Sequence, residues 1–76
     1  MLSSLFTRQL WILIESTPAA ILLKKNDLDL VVYLLQQLEQ QQRLNLQQLD
    51  EIIDYIYKKL TLIRDLADAR HQVVFL

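Results

Sequence analysis

From residue 46 onward, apolar side chains recur at alternating steps of three and four: Leu46, Leu49, Ile53, Ile56, Leu60, Ile63 and Ala67. That spacing is the a/d seam of a helix and predicts one over 46–70. Its start is written in "LNLQQL", where Asn45 is placed to cap, Gln48 to return a bond to the Asn45 amide, and Leu44 and Leu49 occupy the hydrophobic-staple positions. The chain is expected to reverse at about 43–45. Before it, a helix over 27–42 follows from the cap residue Asn26, the first-turn acids Asp27 and Asp29, and a stripe of Leu30 or Val31, Leu34 or Leu35, and Leu38, with Leu28 and Tyr33 at its edges. A first helix over 3–15, capped by Ser3 or Ser4, has Leu2, Leu5, Phe6, Leu10, Leu13 and Ile14 at helical spacing. Pro18 interrupts it by removing an amide donor and biasing Thr17 away from helical angles. A short piece over 18–25 then restarts, with Ser16 or Thr17 as its cap and Pro18 at its first position. The ending "HQVVFL", residues 71–76, fits a helical continuation, an extended segment, or a tail pressed into a groove.

The fold class that follows is all-α: a small bundle in one domain spanning 1–76, built as an antiparallel helical hairpin preceded by a kinked N-terminal helix. The last helix has more apolar surface than one neighbour covers. At about 100° per residue, Ile52, Tyr55, Leu62 and Leu66 lie beside the seam, and the combined arc is roughly 180° wide where a single contact face needs little more than 100°. The first helix adds Trp11 and Ile12 away from its own stripe. A second copy of the chain would cover both surpluses, with two hairpins face to face and the first helices swapped or clasped across them. The residues expected at that interface are Leu5, Phe6, Trp11, Ile52, Tyr55, Leu62 and Leu66. Tyr57 falls near the polar face of its helix, so its exposure would be the sharper hint of a partner site, whereas core packing accounts for Tyr33 and Tyr55.

Composition narrows the classes. The chain has 76 residues, 53% of them apolar, with one Pro, no Gly and no Cys. A chain this short looks for a staple. Disulfides and a Cys/His zinc site are excluded, which leaves oligomerisation as a dimer or tetramer. Eight basic and nine acidic side chains give a net charge of −1 and no field to attract nucleic acid. At the N-terminal end, Arg8, Gln9 and Glu15 interrupt the apolar groups, so the segment reads poorly as a signal, and no uncharged run approaches the roughly 20 residues that span a bilayer. A cytoplasmic protein is the expectation. Membrane contact by the first helix is the rival account of its surplus, weakened by having only Arg8 as a base before Lys24.

Candidate chemistry is sparse. His71 is the only imidazole, and beside Arg70 near a helix end it suits a dipole contact. Asp50, Glu51 and Asp54 have the spacing to collect a divalent cation, yet without a facing ligand helix they read as a solvated face. Arg64, Asp65, Asp68 and Arg70 alternate in sign and read as exposed pairs of small energy. The hydroxyls Ser3, Ser4, Thr7, Ser16, Thr17 and Thr61 have no imidazole base other than His71, and without Gly there is no phosphate-cradling loop. The stretch "LDEIIDYIYKKLTLIRDLADAR", residues 49–70, with Arg64 and Arg70, resembles the long helix of small all-helical chorismate-mutase-like domains, which implies an enzyme as a third reading. The preferred expectation is a non-catalytic interaction or adaptor protein that self-associates through apolar helix faces. It uses no cofactor or metal and has room for a further, unidentified protein partner.

Overall fold

A computed structural model describes residues 4–72, for residues 71 and 72 the backbone alone. Four helices run in order: α1 Ser4–Ser16, α2 Ala19–Lys24, α3 Asp27–Gln41 and α4 Leu46–Gln72. No strand occurs among the described residues, and the fold is all-α. The expected roles of Leu2 and Ser3, the side chain of His71, and the conformation of 73–76 lie outside the described residues.

Each break has a local cause. At the start of α4 the Asn45 side chain accepts from the Gln48 amide at 2.8 Å, and the Gln48 side chain accepts from the Asn45 amide at 2.9 Å, so two donors with no helical partner are satisfied reciprocally. Asn26 does the same work for α3 with the Asp29 amide at 2.8 Å. At Pro18 the expected side-chain cap is absent. Pro18 itself holds the N-cap position of α2, while the Thr17 hydroxyl donates back to the Leu13 carbonyl at 2.8 Å and the Ser16 hydroxyl to that of Ile12 at 2.9 Å. The expectation that Ser16 or Thr17 caps α2 is therefore corrected. Thr17 is buried, and its hydroxyl hydrogen finds an acceptor one turn back more readily than across the proline.

The core gathers Leu10, Leu13 and Ile14 from α1, Leu22 from α2, Leu30, Val31, Leu34 and Leu38 from α3, and Ile52, Ile56, Leu60, Ile63 and Ala67 from α4. α4 packs on α2 and α3, and α1 packs on α3. The chain thus supplies two neighbours for α4 from its own length. Extents of 44 × 22 × 20 Å reflect this long helix, since 27 residues at 1.5 Å each span about 40 Å.

The inward face of α4 differs from the strict seam. Ile52 is fully buried, Leu49 and Ile53 are half-buried, and Leu46 is 81% exposed. A straight α-helix drifts by about 20° per heptad relative to a seven-residue repeat, and only a supercoil keeps such a seam on one line. Packed against one six-residue and one 15-residue helix, α4 has no long partner to wind around. The buried line consequently starts at Ile52 and meets the seam at Ile56.

Candidate interaction surface

A half-open cavity lies between α1 and α4. Trp11, Ile14 and Glu15 form one wall, Ile63, Leu66, Ala67 and Arg70 the other, and Leu22 closes the end, enclosing a half-open cavity of about 150 Å³. Six of these eight side chains are apolar, and the two charged ones belong to the last residues before the α1 break and to the last turns of α4. A cavity lined in this way is mostly apolar, with Glu15 and Arg70 as its polar groups. It has the size of a compact apolar side chain.

Two hydrogen-bonded bridges cross the gap. The Trp11 indole N–H donates to the Tyr55 hydroxyl at 2.8 Å. The Arg70 guanidinium donates to the Glu15 carbonyl at 2.9 Å and the Thr17 carbonyl at 3.1 Å. Arg64, one and a half turns earlier, reaches the carbonyls of Leu22 and Lys25 at 2.9 Å and Leu23 at 3.4 Å, and pairs with the Asp27 carboxylate at 2.9 Å. The two arginines are thus C-terminal caps, Arg70 for α1 and Arg64 for α2, supplied from a distant helix to carbonyls that have no partner in their own. The reading of Arg64 as part of an exposed pair is corrected on this geometry, whereas Arg70 is exposed as expected and donates to carbonyls. Lys58 with Asp54 at 2.9 Å is the exposed i,i+4 pair on α4, and Gln42 donates to Gln9 across the α1–α3 side.

The seven residues expected at an interface separate into three groups. Leu5, Leu62 and Leu66 are 60%, 45% and 48% exposed and present apolar surface. Trp11 and Tyr55 are half-buried, satisfy each other's polar atoms, and form the upper end of the groove, with Lys59 Nζ 5.8 Å from the Tyr55 ring centroid. Phe6 is half-buried. Ile52 is the correction: it is fully buried within the chain's own core, because the inward face of α4 is rotated toward it, and it offers nothing to a second chain. Ile12, set apart from the stripe of its helix, is 53% exposed on the outer side of α1, Leu28 at the edge of the α3 stripe is exposed as well, and Val32 on α3 is an exposed apolar residue that the pattern did not single out. Tyr57 is also exposed.

Leu62 and Leu66 stand one turn apart on the flank of α4 that faces α1, since Tyr55, at the same angular position, is the residue Trp11 meets. They extend the groove outward as an apolar lip. Among the described residues no group of three or more His, Asp or Glu side chains is disposed to hold a metal ion. No helix among them is long and apolar enough to cross a membrane. Of the features behind the resemblance to chorismate-mutase-like helices, helical periodicity with Arg64 and Arg70, the two guanidinium groups donate to backbone carbonyls. The chain matches no protein-family model, no curated protein and no solved structure.

Proposed function

We propose that this chain is a non-catalytic interaction protein that self-associates through apolar helix surface on the α1–α4 side. The observation that carries the reading is the juxtaposition of an open apolar groove with the exposed pair Leu62 and Leu66 at its lip. Exposed leucines scattered singly need no explanation, but two on one helical stripe beside an unfilled apolar cavity form a continuous patch. A patch that has both a projection and a hollow is suited to isologous pairing, in which the same surface is buried twice.

A small chain without disulfides gains most from such pairing, since a core of this size supplies only a few kcal/mol by itself. The function that follows is to form a helical assembly, in the cytoplasm, whose remaining surface is open to another protein. Tyr57, exposed on the other side of α4, belongs to that remaining surface.

Analytical ultracentrifugation tests the reading. The intact protein is expected to sediment as a dimer or higher even oligomer at micromolar concentration. The double variant Leu62→Glu, Leu66→Glu should sediment as a monomer with its helical circular dichroism retained. A wild-type chain that stays monomeric and stably folded at those concentrations overturns the proposal. So does flotation of the intact protein with anionic vesicles at physiological salt while it remains monomeric, which would assign the apolar surface to lipid.

A further inference from the structure

We propose that the second copy lies antiparallel along α4: the α4 helices of two chains pair about a twofold axis near Leu60 and Thr61, with Leu62 of each level with Lys59 of the other copy and Leu66 level with Tyr55. This deepens the self-association reading and rests on it. It names the element of the second copy that covers Leu62, Leu66 and the mouth of the groove beside them, and it names that element's direction.

The spacing along α4 supplies the contact line. Tyr55, Lys59, Leu62 and Leu66 recur at four, three and four, the a/d rhythm, one residue ahead of the buried line Ile56, Leu60, Ile63 and Ala67. One residue is about 100° around a helix, so α4 has two ladders, one turned into its own core and one on the adjoining flank. On that flank Tyr55 and Lys59 are half-buried, and Leu62 and Leu66 are exposed. A ladder in this rhythm is matched along its length by a helix of comparable length beside it. Within the chain α1, α2 and α3 have 13, six and 15 residues against 27 in α4. The helix that matches is α4 of a second copy.

Charge selects the direction. A parallel pair sets Lys59 against Lys59 inside the ladder and leaves Lys58 level with Lys58 and Asp65 level with Asp65. The antiparallel register instead brings the exposed Lys58 of each copy beside the exposed Asp65 of the other, twice by symmetry. Lys58 holds Asp54 at 2.9 Å with both side chains mostly in solvent, and an ammonium has further donors for a second carboxylate. Helical side chains lean toward the N-terminus of their own helix, and Lys59 Nζ accordingly lies 5.8 Å from the Tyr55 ring centroid. In an antiparallel pair the two Lys59 head groups therefore diverge, leaving their methylene stems against Leu62. A lysine at one such position fixes register, and ion pairs at a solvated rim decide orientation more than affinity.

Two measurements on the intact chain test the pairing. In sedimentation equilibrium, Lys58→Glu and Asp65→Lys are each expected to raise the dissociation constant about three- to tenfold, and the double variant Lys58→Glu, Asp65→Lys to bring it back to within about twofold of the wild type. The chain has no Cys, so Thr61→Cys or Asp50→Cys, both at exposed positions off the ladder, places one spin label per chain for pulsed electron-resonance distances. Thr61 lies near the axis, so its label pair should be close together, and the Asp50 pair should be farther apart by about 15 Å or more. If the protein is associated while the two label pairs give equal distances, or while the single charge reversals leave the dissociation constant unchanged, antiparallel pairing is overturned and self-association stands. If the wild type is monomeric, the self-association reading has failed, the pairing falls with it, and the ladder belongs to a different partner.

Discussion

At the scale of single residues, the largest difference between side chains of one type lies among the charges. Arg64 donates to three carbonyls and one carboxylate with its side chain 25% exposed, whereas Lys58 and Asp54 are mostly in solvent. Hydrogen bonds from an ionised donor contribute about 1.5–3 kcal/mol, against a few tenths for an exposed i,i+4 pair. Arg64→Ala should therefore destabilise the fold by about 2–3 kcal/mol in urea unfolding, and Lys58→Ala by no more than about 0.5 kcal/mol. Arg64→Lys should restore little, because an ammonium cannot present a planar fork to carbonyls on both sides of the α2 end. Equal losses for Arg64→Ala and Lys58→Ala would show that the α2 carbonyls find water instead. Asn45→Ala supplies the reference, with an expected loss of about 1 kcal/mol for a helix N-cap. The Asn45–Gln48 exchange was legible in the sequence because both partners lie within one turn. The role of Arg64 was not, since its acceptors sit about forty residues away in sequence on a helix end, and the alternation of sign around it looks the same whether the face is wet or covered.

At the scale of elements, spacing identified the inward residues of α3 and of the second half of α1, while Leu5, placed on the same α1 stripe, is 60% exposed. Leu30, Val31, Leu34 and Leu38 on α3, and Leu10, Leu13 and Ile14 on α1, are buried as their periodicity implies. It misplaced the first turns of α4, because a heptad seam predicts a straight contact line only when a partner of comparable length coils with it, and neither α2 nor α3 is such a partner. It was also silent on the groove, which depends on how far α1 stands from α4. These differences in packing predict an order of local stability. Amide hydrogen exchange should be faster in α1 than in the central turns of α3 and of α4 around Ile56 and Ile63, as α1 opens away from an incompletely filled seam. Protection in α1 equal to that at Ile56 would mean that the cavity between the helices closes in solution. Leu22→Ala bears on the same point from the other side. Leu22 is fully buried and is the sole core residue of α2, a helix too short to persist without packing. That substitution should lose about 2–5 kcal/mol, with near-complete loss of protection in residues 19–24.

At the scale of the whole molecule, the balance of charge against apolar surface decides what kind of force can bring copies together. The net charge is −1, with eight bases and nine acids spread along 76 residues, so two copies neither repel nor attract strongly at distance. Two of the bases, Arg64 and Arg70, are already engaged with carbonyls inside the chain, and Lys25 and Lys59 lie over the Tyr33 and Tyr55 rings at 5.4 Å and 5.8 Å. What is left at the groove is Leu62, Leu66, the apolar walls and one carboxylate, Glu15. Association driven by burial of such surface is insensitive to screening, is strengthened by salts excluded from protein surface, and has a negative heat-capacity change. The dissociation constant of the proposed dimer should accordingly change by less than about threefold between low and high sodium chloride, and should fall when sulfate replaces chloride. Sedimentation equilibrium at several ionic strengths checks both. A dissociation constant that rises steeply with sodium chloride would place ion pairs at the contact, and the apolar lip of α4 would then not be the surface that joins the copies.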